Sequence, residues 1–136
     1  MARRVALVSL LVADYDEAIG FYVGKLGFML VEDTDMGHGK RWVVVSPGGD
    51  GTNFLLARAT GDQAQAIGNQ GGGRVWLFLH TDDFAGDHAR MSAAGVTFLE
   101  EPRHEAYGTV AVFEDLSGNR WDLLQPKNRE EQWPAC

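Results

Sequence analysis

The chain has 136 residues, of which 45% are hydrophobic and 23% are charged, a composition that fits one globular domain and excludes a disordered chain. Its 12 basic and 19 acidic residues give a net charge of −7, which argues against non-specific nucleic-acid binding and modestly favours cationic ligands. One cysteine, Cys136, cannot form an intrachain disulfide or a thiolate zinc site, and no apolar run reaches the ~20 residues of a membrane span, so we expect a cytoplasmic protein without nucleic-acid or membrane partners.

The first half of the chain predicts a strand, a helix and three further strands. Residues 4–13 form an apolar run that is typical of a strand, and Asp14 follows where a helix N-cap is expected. Apolar side chains then recur at helical spacing, and Gly27 lies where a glycine commonly ends a helix. The remaining strand-like runs are residues 28–33, 41–46 and 52–58.

The second half repeats this pattern at a constant offset of 68 residues. Asp82 matches Asp14 and Gly95 matches Gly27, and Asp82 or a neighbour is placed to cap the second helix. Its strand-like runs are residues 74–81, 96–100, 108–114 and 119–125. We therefore predict an α+β fold of two tandem βαβββ modules that form a cup-shaped mixed sheet.

The chain, residues 1–136, is predicted to be a single domain built from these modules. Its parts are a first module at 4–58, a linker at 59–73, a second module at 74–125 and a tail at 126–136. The linker is polar and rich in glycine, which predicts a flexible segment. The tail contains Trp133, to which the sequence assigns no role.

The strand that opens the second module has an unusual pattern. In RVWLFLH, every second side chain is aromatic or imidazole, namely Trp76, Phe78 and His80. Because successive side chains of a strand point to opposite faces, these three are predicted to share a face. Aliphatic residues occupy the other face and supply the surface that packs on the helix. The aromatic face is therefore predicted to line a pocket, with ordinary core packing as the alternative.

Two segments resemble one known superfamily. VADYDEAIGFYVGKLGF, residues 12–28, is similar to the first-helix signature of the vicinal oxygen chelate superfamily, and FEDLSGNRWDLLQ, residues 113–125, is similar to its last turn and strand. That superfamily includes glyoxalase I, extradiol dioxygenases and the bleomycin- and fosfomycin-resistance proteins. The resemblance covers residues 4–125 and implies the glyoxalase/bleomycin-resistance fold. It also implies a homodimer, often with pockets shaped by both subunits.

The resemblance also implies where a metal would be held in this chain. The corresponding positions are Leu7, Trp76 and Asp122, with Asn53 or Phe54 as the fourth. Leucine offers no ligand atom, and the only polar atom of tryptophan is a donor. We therefore expect no metal and no other cofactor, because the remaining groups are too few for a divalent cation.

Asp122 is the principal polar candidate, since a carboxylate within an apolar strand is costly unless it is paired. It shares a face with Arg120, so it either forms an ion pair, with Arg120 or with another chain, or faces a ligand as an anchor or base. His80 is the other candidate base. The predicted ligand-binding residues are Leu7, Ser9, Trp42, Asn53, Trp76, Phe78, His80, Tyr107, Arg120 and Asp122.

Two functions fit these observations. The first is a metal-free binding protein that holds an aromatic or amphipathic small molecule, as the drug-sequestering resistance proteins of the resembled superfamily do. The alternative is an enzyme of the same superfamily, a lyase, isomerase or dioxygenase-like protein that uses Asp122 or His80 as a base, with or without a divalent metal. The residues Leu7 and Trp76 argue against glyoxalase I or dioxygenase activity.

Overall fold

The computed structural model describes residues 1–127 of the chain. The expectations for Trp133 and most of the tail lie outside the described residues. The chain divides into two compact units, Met1–Gln70 and a second that begins at Gly71. No helix among the described residues is long and apolar enough to cross a bilayer.

The first unit is a βαβββ module. Strand β1 is followed by helix α1, which continues as a π-helical turn, and by three strands. The elements are β1 Leu7–Val12, α1 Tyr15–Ile19, the π-helical turn Gly20–Lys25, β2 Met29–Gly37, β3 Lys40–Ser46 and β4 Asn53–Arg58. The strand order in the sheet is β1-β4-β3-β2, with β1 and β4 parallel and the other pairs antiparallel.

The second unit has the same topology. Its elements are β5 Val75–His80, α2 Phe84–Ala93, β6 Arg103–Glu105, β7 Gly108–Glu114 and β8 Arg120–Pro126. The strand order is β5-β8-β7-β6, and only the pair β5 and β8 is parallel. Two tandem βαβββ modules, each with a mixed sheet, confirm the predicted α+β fold.

Both helices begin at an aspartate cap. The Asp14 carboxylate accepts a hydrogen bond from the Glu17 N–H at 2.8 Å, as the sequence predicts. In the second unit the cap is the neighbour Asp83 and not Asp82, and it accepts from the Gly86 N–H at 3.0 Å. A Cβ on Gly86 would lie 2.1 Å from the Asp83 carboxylate, so glycine at that position makes room for the cap.

In each unit one face of the sheet packs on the helix and forms the core. In the first unit, Phe28 links Tyr22 and Phe54 through ring contacts of 5.8 and 6.5 Å. In the second, a series of ring contacts runs from α2 to β8 through His88, Phe98, Phe113 and Trp121. We call the opposite surface of each sheet, on the side away from its helix, the far face.

The strand predicted at 96–100 is replaced by an irregular edge. Phe98 makes an isolated bridge to Phe113, and the edge strand β6 begins only at Arg103. Between them the Glu100 carboxylate accepts the Val112 N–H at 3.0 Å, so a side chain replaces a strand carbonyl. Pro102 lies in this interval and has no N–H to continue a ladder.

The segment predicted as a flexible linker has defined structure. It contains the 3₁₀ helix Gly61–Ala66, which begins with a capping box between Thr60 and Gln63. Further on, the Gln70 amide accepts the Leu11 N–H at 2.8 Å and donates to the Ser9 carbonyl at 3.1 Å. A side-chain amide offers the same donor and acceptor as a peptide group, so Gln70 covers the free edge of β1.

Candidate functional site

The sequence-predicted site residues lie in both units. Leu7, Ser9, Trp42 and Asn53 belong to the first sheet, and Trp76, Phe78, His80, Tyr107, Arg120 and Asp122 belong to the second unit. Strand register assigns most of them to the far face of their own sheet, which the core does not use. The far faces therefore carry most of the candidate site residues.

In the first unit, the register resolves which residue of β4 accompanies Leu7. Leu7 pairs with Asn53 across the parallel strands β1 and β4, and Ser9 pairs with Leu55. Phe54 is buried on the helix side, where its ring packs on Phe28. Asn53 is therefore the residue that shares the far face with Leu7.

Trp42 lies two residues from Val44 on β3, and Val44 pairs with Leu55. Alternation along the strand therefore places Trp42 on the far face with Ser9. Trp42 is half-buried and Ser9 is exposed. Ser9 and Asn53 are the predicted polar positions of this far face, and the register adds Glu32 and Thr34 of β2, which pair with Val44 and Trp42.

In the second unit, Asp122 lies in the middle of the far face. It pairs with Phe78 of β5 on one side and with Val112 of β7 on the other. His80 lies on the same face, since it pairs with Leu124, two residues beyond Asp122 on β8. Phe78 is 60% exposed although it lies in the middle of the edge strand β5, beside Asp122 of β8, and so large an exposure is notable for a phenylalanine.

The prediction that Trp76 shares this face is not supported by the register. Val75 pairs with Arg120 and Leu77 pairs with Trp121, so β5 contains one residue more than β8 over this interval, and Trp76 is at the bulge. Strict alternation is interrupted there. Trp76 packs instead against the backbone of Gly71, where an added Cβ would lie 2.6 Å from the Trp76 Cβ.

The predicted alternative of an ion pair between Arg120 and Asp122 is wrong. The Arg120 guanidinium donates to the Gly73 carbonyl at 3.3 Å, because that carbonyl lies beside the start of β5, which pairs with β8 at Arg120. Asp122 is left with one buried carboxylate oxygen, Oδ1, that accepts no hydrogen bond from any residue in the described range 1–127. A buried acceptor in that condition is costly and requires an explanation.

The electrostatic surroundings of Asp122 follow from this burial. Burial raises the pKa of the Asp122 carboxyl above that of an exposed aspartate. The Arg103 charge lowers the pKa and the Glu100 charge raises it again. Asp122 is therefore a carboxyl group that takes up a proton more readily than usual, as suits a hydrogen-bonding anchor or a base.

The sequence did not indicate Arg103, the charged group that most affects the pKa of Asp122. Arg103 donates from Nε to both oxygens of Glu100 at 3.1 Å and from Nη1 to Glu105 at 3.0 Å. Glu100 most strongly, with Tyr107 and Glu105, raises the pKa of Arg103 above its usual value. The signal was the segment EEPRHEAY, which reads as a polar turn until the pairing of β6 with β7 is known.

Tyr107 lies in the turn between β6 and β7 and is exposed. Besides Glu100, Tyr107 is among the groups that raise the pKa of Arg103. The site residues that the register brings together in the second unit are Phe78, His80 and Asp122, with Arg103 on the same face.

The residues at the four metal-equivalent positions do not fit a metal ion. Leu7 has no donor atom, Trp76 presents only an N–H, and Asp122 and Asn53 would supply too few oxygen ligands. Within residues 1–127, no group of three or more His, Cys, Asp or Glu side chains is placed to hold a metal. What the second far face can do is bind an apolar ring on Phe78 and accept a hydrogen bond at Asp122.

Two mixed four-stranded sheets of the same strand order, each formed by one βαβββ module, define a tandem-repeat α+β protein. Residues 4–123 match the sequence profile of the Glyoxalase/Bleomycin resistance protein/Dioxygenase superfamily, and the chain belongs to that superfamily. The resemblance drawn from the helix and turn segments is therefore confirmed.

Relatives and solved structures extend over nearly the whole chain. A protein of Shewanella frigidimarina (strain NCIMB 400), described as uncharacterized, is 55% identical over 133 residues, which are 96% of this chain and 98% of the relative. The crystal structure of UcmS2 has a TM-score of 0.77 at 32% identity and covers 91% of this chain and 98% of its own. The crystal structure of TnmS3, an antibiotic-binding protein from Streptomyces sp. CB03234, has a TM-score of 0.76 at 34% identity and covers 93% and 98%.

Proposed function

We propose that this protein binds an aromatic or amphipathic small molecule without a metal ion, using the far face of the second sheet. The observation that carries the proposal is the buried Asp122 Oδ1, which lacks a donor within residues 1–127, beside the exposed ring of Phe78. A ligand ring that packs on Phe78 gains contact area, and a donor on that ligand satisfies Asp122. His80, on the same face, is proposed to orient the ligand.

The similarity to TnmS3 supports this choice of function. TnmS3 is an antibiotic-binding protein and is 34% identical to this chain over 93% of its length. We propose a natural product of antibiotic type as the ligand and its sequestration as a means of resistance. The acidic balance of the chain, −7, favours a basic molecule.

A binding screen tests the proposal. The protein is titrated with a panel of aromatic natural products, basic and neutral, and binding is followed by intrinsic tryptophan fluorescence and by calorimetry. For a ligand found this way, Phe78→Ala and Asp122→Asn should each weaken binding by about tenfold or more, the loss of one ring contact or one hydrogen bond to a carboxylate.

The matched control is Leu116→Ala, which removes an exposed apolar side chain from a turn of the same unit. It should leave the affinity unchanged. Equal affinities of the wild type, Phe78→Ala and Asp122→Asn would contradict the assignment of the site. Trp76→Ala tests whether the bulged tryptophan contributes as well.

The metal-free state is part of the proposal and has its own test. Elemental analysis of protein purified without chelator or metal-affinity tag should show no stoichiometric Ni, Zn, Mn or Fe. Stoichiometric metal that is removed together with binding or an activity would contradict it.

One observation favours an enzyme as the second candidate. The raised pKa of Asp122 suits a general base for a metal-independent reaction, since such a base works best with a pKa near the working pH. Mass spectrometry of each bound ligand after incubation distinguishes the two functions. A product that Asp122→Asn fails to form indicates catalysis, and unchanged ligand indicates binding alone.

We also propose that the protein is a cytoplasmic homodimer. Strand β2 is a sheet edge of nine residues, all of them exposed, and such an edge favours association. Light scattering coupled to gel filtration should give twice the 14.9 kDa mass of the chain. A monomer mass at all concentrations would contradict the dimer, and recovery in the membrane or secreted fraction would contradict the location.

A further inference from the structure

The Arg103 side chain is on the same face as Asp122 but is held by other groups. Arg103 pairs with Val110 and Val110 pairs with Leu124, so the register places Arg103 on the far face of the second sheet. Its guanidinium is engaged by Glu100 through Nε and by Glu105 through Nη1, at 3.1 and 3.0 Å. A guanidinium on the same face as a half-buried carboxylate would ordinarily form an ion pair with it.

Glu100 is fixed in place by the strand next to Asp122. Its Oε2 accepts the Val112 N–H at 3.0 Å, and Val112 is the residue of β7 that pairs with Asp122. The same carboxylate accepts from Arg103 Nε with both oxygens. Glu100 therefore links the backbone of Val112, beside Asp122, to the guanidinium of Arg103, which forms no ion pair with Asp122.

The consequence for Asp122 is visible in its hydrogen bonding. Oδ1 is buried, and no residue in the range 1–127 donates to it. The opposing effects of Arg103 and Glu100 on the pKa of Asp122 agree with this arrangement, since the Glu100 charge offsets the Arg103 charge.

We propose that Glu100 is a positioning residue that retains Arg103 and thereby keeps Asp122 Oδ1 open to a hydrogen-bond donor on the ligand. This inference rests on the proposed binding function and deepens it. It assigns the ligand class as a flat ring that bears a hydroxyl or N–H, in preference to the same ring without that donor. If Arg103 were released, it would occupy Asp122 and remove the preference.

The substitution Glu100→Gln isolates this role. The amide oxygen of glutamine, at the Oε2 position, still accepts the Val112 N–H and one contact from Arg103 Nε, whereas the NH₂ group at the Oε1 position cannot accept from Arg103, and the negative charge that retains the guanidinium is lost. Glu105→Gln is the matched control, because it removes the other acid that holds Arg103 and leaves Glu100 in place.

The first readout needs no ligand. The Arg103 Nε–H signal is followed by ¹H–¹⁵N NMR in the wild type, Glu100→Gln, Asp122→Asn and the double variant. When Glu100 is present, Asp122→Asn should leave the solvent exchange of this N–H at its wild-type rate. In Glu100→Gln the signal should move and become sensitive to Asp122→Asn. An Arg103 signal that Glu100→Gln does not change, or that never responds to Asp122, overturns the inference.

The second readout compares two probes, 2-naphthol and 2-methoxynaphthalene, which differ in the hydroxyl donor. The wild type should prefer 2-naphthol by about tenfold, as expected for one hydrogen bond to a carboxylate. Glu100→Gln should lose this preference, and Glu100→Gln/Arg103→Gln should regain it. Glu105→Gln should keep most of the preference.

The outcomes separate this inference from the proposed function. If Glu100→Gln still prefers 2-naphthol, the positioning role of Glu100 is wrong, whereas the proposed binding function is unaffected. Failure of the wild type to bind either probe counts against the proposed function and against the ligand class drawn here. In that case the NMR result still decides whether Glu100 retains Arg103.

Discussion

Asp115→Ala is expected to destabilise the protein more than any other single change at the turn between β7 and β8. The Asp115 Oδ1 accepts the backbone N–H groups of Ser117, Gly118 and Asn119 at 3.1, 3.1 and 2.9 Å. Its Oδ2 accepts the Asn119 Nδ2 and the Trp121 Nε1 at 3.0 and 3.1 Å. One carboxylate thus holds the turn that leads into the strand of Asp122.

The magnitude follows from which donors water can reach after the substitution. Asn119 and Trp121 are only 3% and 1% exposed, so water does not replace the acceptor that their donors would lose, whereas Ser117 and Gly118 are half-buried. Each buried donor left unsatisfied costs about 1–3 kcal/mol, so Asp115→Ala should lower the free energy of unfolding by about 3–5 kcal/mol.

Urea unfolding followed by circular dichroism measures this change. Asp115→Asn keeps an acceptor for the three backbone donors but turns an NH₂ toward the other two, so it should lose less, about 1–3 kcal/mol. Leu116→Ala, an exposed neighbour, should stay within about 0.5 kcal/mol of the wild type. A loss below about 1 kcal/mol for Asp115→Ala would refute the reasoning that the buried donors depend on this carboxylate.

Three further predictions concern the backbone, an edge strand and pH. Gly108→Ala should destabilise by about 3 kcal/mol or more, because its φ is +154° and a Cβ would lie 2.2 Å from the Gln125 carbonyl oxygen. Gly20→Ala, at a helical φ of −58° with open space around it, should instead stabilise the protein by about 0.5–1 kcal/mol. Urea unfolding measures both variants, and the same change in the free energy of unfolding for Gly108→Ala and Gly20→Ala would contradict both predictions. Gln70→Ala removes two hydrogen bonds from β1 and should cost about 1–2 kcal/mol, with faster amide exchange along β1 as the second measurement. Burial raises the pKa of Asp122 above 3.8, so the native state binds this proton more tightly than the unfolded state does. The contribution of Asp122 to the free energy of unfolding therefore falls as the pH rises from 3.8 through the raised pKa. The stability advantage of Asp122→Asn over the wild type should therefore grow from acid to neutral pH, and a pH-independent difference would contradict this.

The features that the sequence predicts well are those encoded within a few residues. The strand at 108–114 is observed as β7 Gly108–Glu114, and Asp14 caps α1 as expected. Alternation and capping act locally, so they can be recognised without knowledge of the partner strand. The repeat at a constant offset extended these local signals into a topology and a superfamily.

The features that the sequence could not predict depend on strand pairing. The bulge at Trp76 exists only because β5 and β8 differ by one residue over the same interval, and neither strand shows this alone. Similarly, Glu100 looks like one acid of a polar turn until its carboxylate is seen to accept the Val112 N–H. The strands that carry the candidate residues could therefore be predicted from the sequence, whereas the neighbours of each residue across the sheet could be predicted only in part.

Asp122 shows how stability and binding oppose each other at this site. An acid within an apolar strand indicates either an ion pair or a ligand contact. In the structure Arg120 forms no ion pair with Asp122, because its guanidinium donates to the Gly73 carbonyl. A buried carboxylate oxygen that accepts nothing from residues 1–127 lowers the stability of the fold. A ligand that donates to it would recover that free energy only on binding, so Asp122→Asn should gain stability and lose affinity together. A variant that is both less stable and equally tight in binding would show that Asp122 is a structural residue.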